Sequence, residues 1–178
     1  MSSINYIIGD ATKPRSIRTV LMHGTNSCGK WGSGFVLAVD KLSPFPKNEY
    51  RKWFQETICY AKDEGCIVDN TNGTYEIPFM LGEIQVVPIR PGLAVANMIT
   101  QKDVGMFDHL IPFRYDSFRE CLYRLSKACK VNKCMHVTGP RIGAGLARAD
   151  WDKIEPIIIE ELVNRGIDVD IYDLPKGK

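Results

Sequence analysis

Short apolar runs bounded by turn residues alternate along this chain with longer stretches whose apolar residues recur every three or four positions. Residues 4–8 (INYII) and 19–23 (TVLMH) read as buried strands, each followed at once by turn-forming residues. From 32 to 42 the pattern becomes helical, and the prolines of SPFPKN stop it. Tyr50, Trp53, Phe54, Thr57, Ile58 and Ala61 then mark one face of a second helix. DNTNGTYEIPF reads as a turn or hairpin with Asn-Gly at its tip. GEIQVVPI and LAVANMIT read as two strands joined by Arg90, Pro91 and Gly92, and 101–114 as a surface loop. A helix over 115–130 carries the stripe Phe118, Cys121, Leu122, Leu125 and Cys129. CMHVTGP is a strand, WDKIEPIIIEELVNRG a helix that Pro156 kinks or shortens, and DVDIYDL a closing strand. This order predicts an α/β fold, a three-layer α/β/α sandwich around a mixed sheet, and 178 residues predict a single domain.

Composition narrows the function classes. A formal charge of +2 gives no basic footprint for nucleic acid, and the apolar runs are broken well short of the roughly 18–20 residues a membrane span needs. The N-terminal residues lack the basic and apolar regions of a secretion signal. The six cysteines form no Cys-x-x-Cys pair and no zinc spacing with histidine, so neither a metal nor another cofactor is expected. Dispersed thiols of this kind suit a reducing cytoplasm. No apolar helix is left over, so a monomer is expected.

In such folds ligands lie beyond the carboxyl ends of strands, where loops lead into helices. Two glycine-rich loops fit that place, one after 21–23 and one after 137–140. Together they would cradle a pyrophosphate, with backbone N–H groups and helix N-termini supplying positive charge. GTNSCGKW matches a phosphate-binding loop from Gly24 to Lys30, but Trp31 stands where magnesium needs a hydroxyl. The full glycine fingerprint of a dinucleotide oxidoreductase is absent.

Four motifs in order, YIIGDAT, HGTN, KWGSGF and PRIGAGL, resemble the macro domain, which binds ADP-ribose. The resemblance runs from about residue 5 to 174. It is nearest to the ADP-ribose 1″-phosphate phosphatase group, and the C-terminal third also looks like the terminal ADP-ribose glycohydrolase branch. It implies a small-molecule substrate, an ADP-ribose derivative. Gly9, Asp10 and Ala11 would meet the adenine, with Asp10 accepting from its amino group; an Asp there can equally cap a turn. Gly32, Ser33 and Gly34 would open toward one side of the diphosphate, with Gly24, Thr25, Trp31 and Phe35 as further substrate-binding residues beside them. Arg141, Ile142, Gly143, Ala144, Gly145 and Leu146 would line the other. Asn26 would hold the distal ribose, or serve as a turn residue with positive φ. Trp31 would cover the sugar or belong to the core.

His23 is the catalytic candidate, together with Asn26. It would orient water or donate a proton near the 1″ substituent, or simply bond a neighbouring carbonyl. His109 and His136 are weaker candidates, one in an irregular loop and the other inside a strand. The glycohydrolase branch carries a Lys after the central IT and an Asp after the Gly-Leu; here those places hold Gln101 and Ala147. Removal of ADP-ribose from glutamate by that lysine–carboxylate route is therefore not expected. Asp150 offers a substitute carboxylate, or more simply a helix N-cap. The leading expectation is release of phosphate from ADP-ribose 1″-phosphate. The alternatives are an ADP-ribosyl hydrolase acting on protein or nucleic acid, and a non-catalytic reader.

Overall fold

A computed structural model describes residues 2–63, 68–69, 75–76, 80–102, 111–145 and 147–175. In chain order they form β1 (Ile4–Ile8), β2 (Thr19–Asn26), α1 (Val36–Leu42), α2 (Phe45–Asp63), β3 (Val68–Asp69) and β4 (Tyr75–Glu76). These are followed by β5 (Ile84–Arg90), β6 (Leu93–Gln101), α3 (Tyr115–Val131), β7 (His136–Pro140), α4 (Trp151–Glu161) and β8 (Asp168–Asp173). Six strands make one sheet in the order β1-β8-β7-β2-β6-β5. Every pairing in it is parallel except β5 with β6. The sheet is therefore mixed, as expected.

Alternation along the strands builds the three layers. Val20 and Met22 of β2 point with Met98, Val137 and Ile171 into a core closed by Leu122, Leu125, Ile154 and Ile158 from α3 and α4. Leu21, Val95 and Ile99 point to the opposite face, against Val36, Val39, Tyr50 and Phe54 from α1 and α2. Each fully buried aliphatic side chain contributes about 1.5–3 kcal/mol, so neither helical layer is dispensable.

Several boundaries differ from the sequence reading. β2 continues through Asn26, and α1 starts only at Val36, because residues 32–34 form a turn with Gly34 at φ +76°. Pro46 lies in the first turn of α2, where a missing N–H forfeits no intrahelical bond. α4 begins at Trp151 and runs through Pro156, so the proline marks no late start. Phe113 bridges Gln101 and is buried, so the end of the 101–114 segment returns to the sheet instead of crossing the surface. The tip of the 69–79 segment lies outside the described residues, although β3 and β4 pair antiparallel as a hairpin would.

The topology opens a crevice at one place. β2 and β7 are adjacent and parallel, but the loop after β2 leads to α1 on one face and the loop after β7 to α4 on the other. The two connections diverge at the carboxyl edge of the sheet, which leaves a slot between them.

Candidate ligand-binding cleft

Two hollows occupy that slot. The first, of about 170 Å³, is lined by His23, Gly24, Ser33, Gly34 and Phe35 from one side and by Pro140, Arg141, Ile142, Gly143 and Gly145 from the other. Thr100, Gln101, Phe113 and Ala147 complete its floor and wall. The second, of about 310 Å³, is lined by Gly9, Asp10, Ala11, Gly34, Phe35, Ala38, Pro140, Tyr172 and Leu174. Gly34, Phe35 and Pro140 belong to both, so the hollows form one groove. The two glycine turns face each other across it.

His23 sits at the inner end. It is fully buried, and its Nε2 lies 2.7 Å from Asn97 Oδ1 while Nδ1 has no hydrogen-bond partner. Trp31 meets the ring edge-on at 5.4 Å between centroids. Burial lowers the His23 pKa from the ordinary 6.5 to about 4, against the opposing effects of Asn97 and of the Gly24 backbone. The imidazole is neutral at pH 7. Thr100 Oγ1, buried in the same hollow, also has no protein partner.

Asp10 lines the second hollow and also caps a turn: Oδ1 accepts from the Thr12 N–H at 2.9 Å and the Thr12 hydroxyl at 2.7 Å. The Thr12 hydroxyl bond holds the Asp10 carboxyl below the usual range, although partial burial works against it. Arg141 contributes to the wall, but its guanidinium makes a bidentate pair with Asp173 at 2.6 and 3.0 Å. It also lies 4.8 Å over Tyr6 and 4.9 Å over Trp151, which holds it in place.

Other expected site residues are placed elsewhere. Asn26 does not line the groove; its Oδ1 accepts from the N–H groups of Cys28 and Lys30 and from the Tyr50 hydroxyl, and its Nδ2 donates to Lys30 O at 2.6 Å. The carboxamide closes the 26–30 turn, and its φ is not positive. The ribose and catalytic roles read for Asn26 do not fit this geometry. The Thr25 hydroxyl donates to Met98 O at 2.9 Å. Trp31 is buried, donates to Asp40 and braces His23 from the core. Gly32 and Ala144 are exposed without lining either hollow. Leu146 and His109 lie outside the described residues.

His136 belongs to the far end of the sheet, between Thr19 Oγ1 at 2.9 Å and Asp170 at 3.0 Å. Asp150 accepts from the Asp152 N–H at 3.1 Å, the helix cap. The Asp150 and Asp152 carboxylates occupy the start of α4 and offset its positive end, and α1 is a short helix of seven residues. The turns themselves remain as donors.

Thr100, Gln101, Phe113, Tyr172 and Asn97 join the site beyond the residues that the sequence motifs name. The carboxyl-end rule, applied to β6 as well as to β2 and β7, points to Thr100 and Gln101. The places of the absent lysine and carboxylate, Gln101 and Ala147, both line the first hollow.

No family model matches the sequence. Among solved structures, a protein from Bacteroides thetaiotaomicron is 37% identical, with a TM-score of 0.81 over 97% of this chain and all of that one. A macrodomain protein from Streptomyces coelicolor is 34% identical, with a TM-score of 0.74 over 96% of this chain and 99% of its own. The chain belongs to the macrodomain family. The macrodomain fold extends to Thermosipho africanus DarTG, solved in complex with ADP-ribose, at 15% identity and a TM-score of 0.71; this chain covers 43% of it. Mouse chromodomain-helicase-DNA-binding protein 1-like is 25% identical over 99% of this chain, which spans only 18% of that protein's length. Among the described residues of this macrodomain, no helix is long and apolar enough to cross a membrane.

Proposed function

We propose that this macrodomain binds ADP-ribose along the joined hollows and hydrolyses the substituent on C1″ of the distal ribose. The observation that carries the reading is the sharing of Gly34, Phe35 and Pro140, which links the Asp10 hollow to the His23 hollow. Adenine would lie against Asp10 and Tyr172, and the diphosphate would pass between the two glycine turns, where short side chains let backbone donors approach. The distal ribose would reach His23.

The leading substrate is ADP-ribose 1″-phosphate. Water held at His23 Nδ1 attacks phosphorus and passes a proton to Nδ1, the bond from phosphorus to the C1″ oxygen breaks, that oxygen takes a proton from solvent water, and inorganic phosphate and ADP-ribose leave. Turn N–H groups stabilise the charge on the transferring group. A neutral His23 suits acceptance of a hydrogen bond or proton, so the donor role is dropped.

One observation favours a second reading. Among the described residues lining the first hollow the ionisable side chains are His23 and Arg141, and Arg141 is already paired with Asp173. A phosphate dianion would be desolvated there with little compensation, whereas a neutral ester linking ADP-ribose to a protein side chain would not. The test offers purified protein ADP-ribose 1″-phosphate and an ester-linked ADP-ribosyl peptide, measuring phosphate and free ADP-ribose. Turnover of either supports hydrolysis and selects the leaving group. Tight ADP-ribose binding in calorimetry with no turnover of both makes the protein a reader.

A further inference from the structure

His23, Asn97 and Gln85 are partners in register across β2, β6 and β5, so their side chains form a polar row through an otherwise apolar face. The row ends on α2. Asn97 Nδ2 donates to the Pro46 carbonyl at 2.9 Å and to Gln85 Oε1 at 3.1 Å, and Gln85 Nε2 donates to the Glu49 carbonyl at 3.0 Å. A backbone carbonyl can only accept, so each amide has one satisfactory orientation. Turning Asn97 over would set its oxygen against both the Pro46 carbonyl and Gln85. Turning Gln85 as well would relieve one clash and create another at Glu49.

With Asn97 Oδ1 fixed as an acceptor 2.7 Å from the ring, the His23 proton belongs on Nε2. The lone pair is then on Nδ1, the buried ring atom that no protein group satisfies. The opposite tautomer would set two acceptors against each other across the 2.7 Å contact with Asn97, an expensive arrangement in a fully buried site. Trp31 and Phe35, with centroids 5.4 and 6.2 Å from the ring, clamp its plane.

We propose that Asn97, oriented by Gln85 and the first turn of α2, is a positioning residue that holds His23 in its Nε2–H tautomer and presents the Nδ1 lone pair to water or a substrate hydroxyl. The catalytic consequence rests on the hydrolytic reading above; the tautomer does not. Both are tested together. Long-range proton–nitrogen NMR of imidazole-labelled protein should show His23 protonated on Nε2 and bare on Nδ1 at neutral pH. In Asn97→Ala the ring should lose that single tautomer, and kcat should fall about tenfold or more while ADP-ribose Kd stays within about threefold. If Asn97→Ala does not fold, the spectrum of the unaltered protein and of half-buried Gln85→Leu, expected to broaden the preference, decides. A proton on Nδ1 in the unaltered protein overturns the proposal, as does an unchanged tautomer and kcat in folded Asn97→Ala. Absence of turnover with the expected tautomer present counts against the hydrolytic reading alone.

Discussion

At pH 7 the His23 ring is uncharged, because burial lowers its pKa to about 4, so one ring nitrogen carries the proton and only the other can accept. His23→Ala is expected to keep ADP-ribose affinity within about threefold and to lose turnover by about 100-fold, checked by calorimetry beside product release. Loss of binding in step with turnover would instead make His23 a ligand contact. Asn26 shows the limit of reading residues singly. A carboxamide two or three residues beyond a strand-end His satisfies a motif, yet in the folded chain its oxygen accepts from Cys28, Lys30 and Tyr50. Asn97 fails in the other direction. Its importance comes from strand register with a residue 74 positions away, which no local pattern carries.

The strands and helices were largely legible, since apolar spacing follows directly from which face is buried. Leu21 and Met22 go to opposite cores as alternation requires. Boundaries near glycine and proline were less legible, because Gly34 at φ +76° ends a turn where helical spacing had already begun. The two glycine turns should respond differently to substitution. A Cβ at Gly34 would meet nothing within 4 Å, whereas one at Gly143, at φ +81°, would come within 2.6 Å of Ala149 Cβ. Gly34→Val is expected to cost about 1–3 kcal/mol of backbone strain and to weaken ADP-ribose binding tenfold or more, by crowding the join between the hollows. Gly143→Val adds a clash to the same strain, so thermal denaturation should show the larger loss of stability. Equal binding by Gly34→Val and the unaltered protein would place the ligand elsewhere.

Across the whole molecule, acid should weaken the fold in two stages. Unfolded His23 takes up its proton near pH 6.5 but the folded ring only near 4, so stability present above pH 6.5 is lost as pH falls through that interval, by up to about 3 kcal/mol. Asp170 adds a lower stage. Burial raises its pKa, but Arg15, Asn5 and His136 together hold it below the ordinary carboxylate value, so its contribution disappears only as pH falls below that range. That network ties β1, β7 and β8 together at the edge away from the groove. Denaturant titrations between pH 4 and 7 should show the first stage in the unaltered protein and a shallower slope in His23→Gln. ADP-ribose at about 100 times its Kd should add about 2.7 kcal/mol, an increase in Tm of about 5–10 °C by differential scanning calorimetry. The most direct measurement is a crystal structure with ADP-ribose bound. It should place adenine beside Asp10, the diphosphate between the turns at Gly34 and Gly145, and the distal ribose about 3 Å from His23 Nδ1, directly or through one water. A nucleotide outside the shared groove, or a distal ribose directed away from His23, would contradict it.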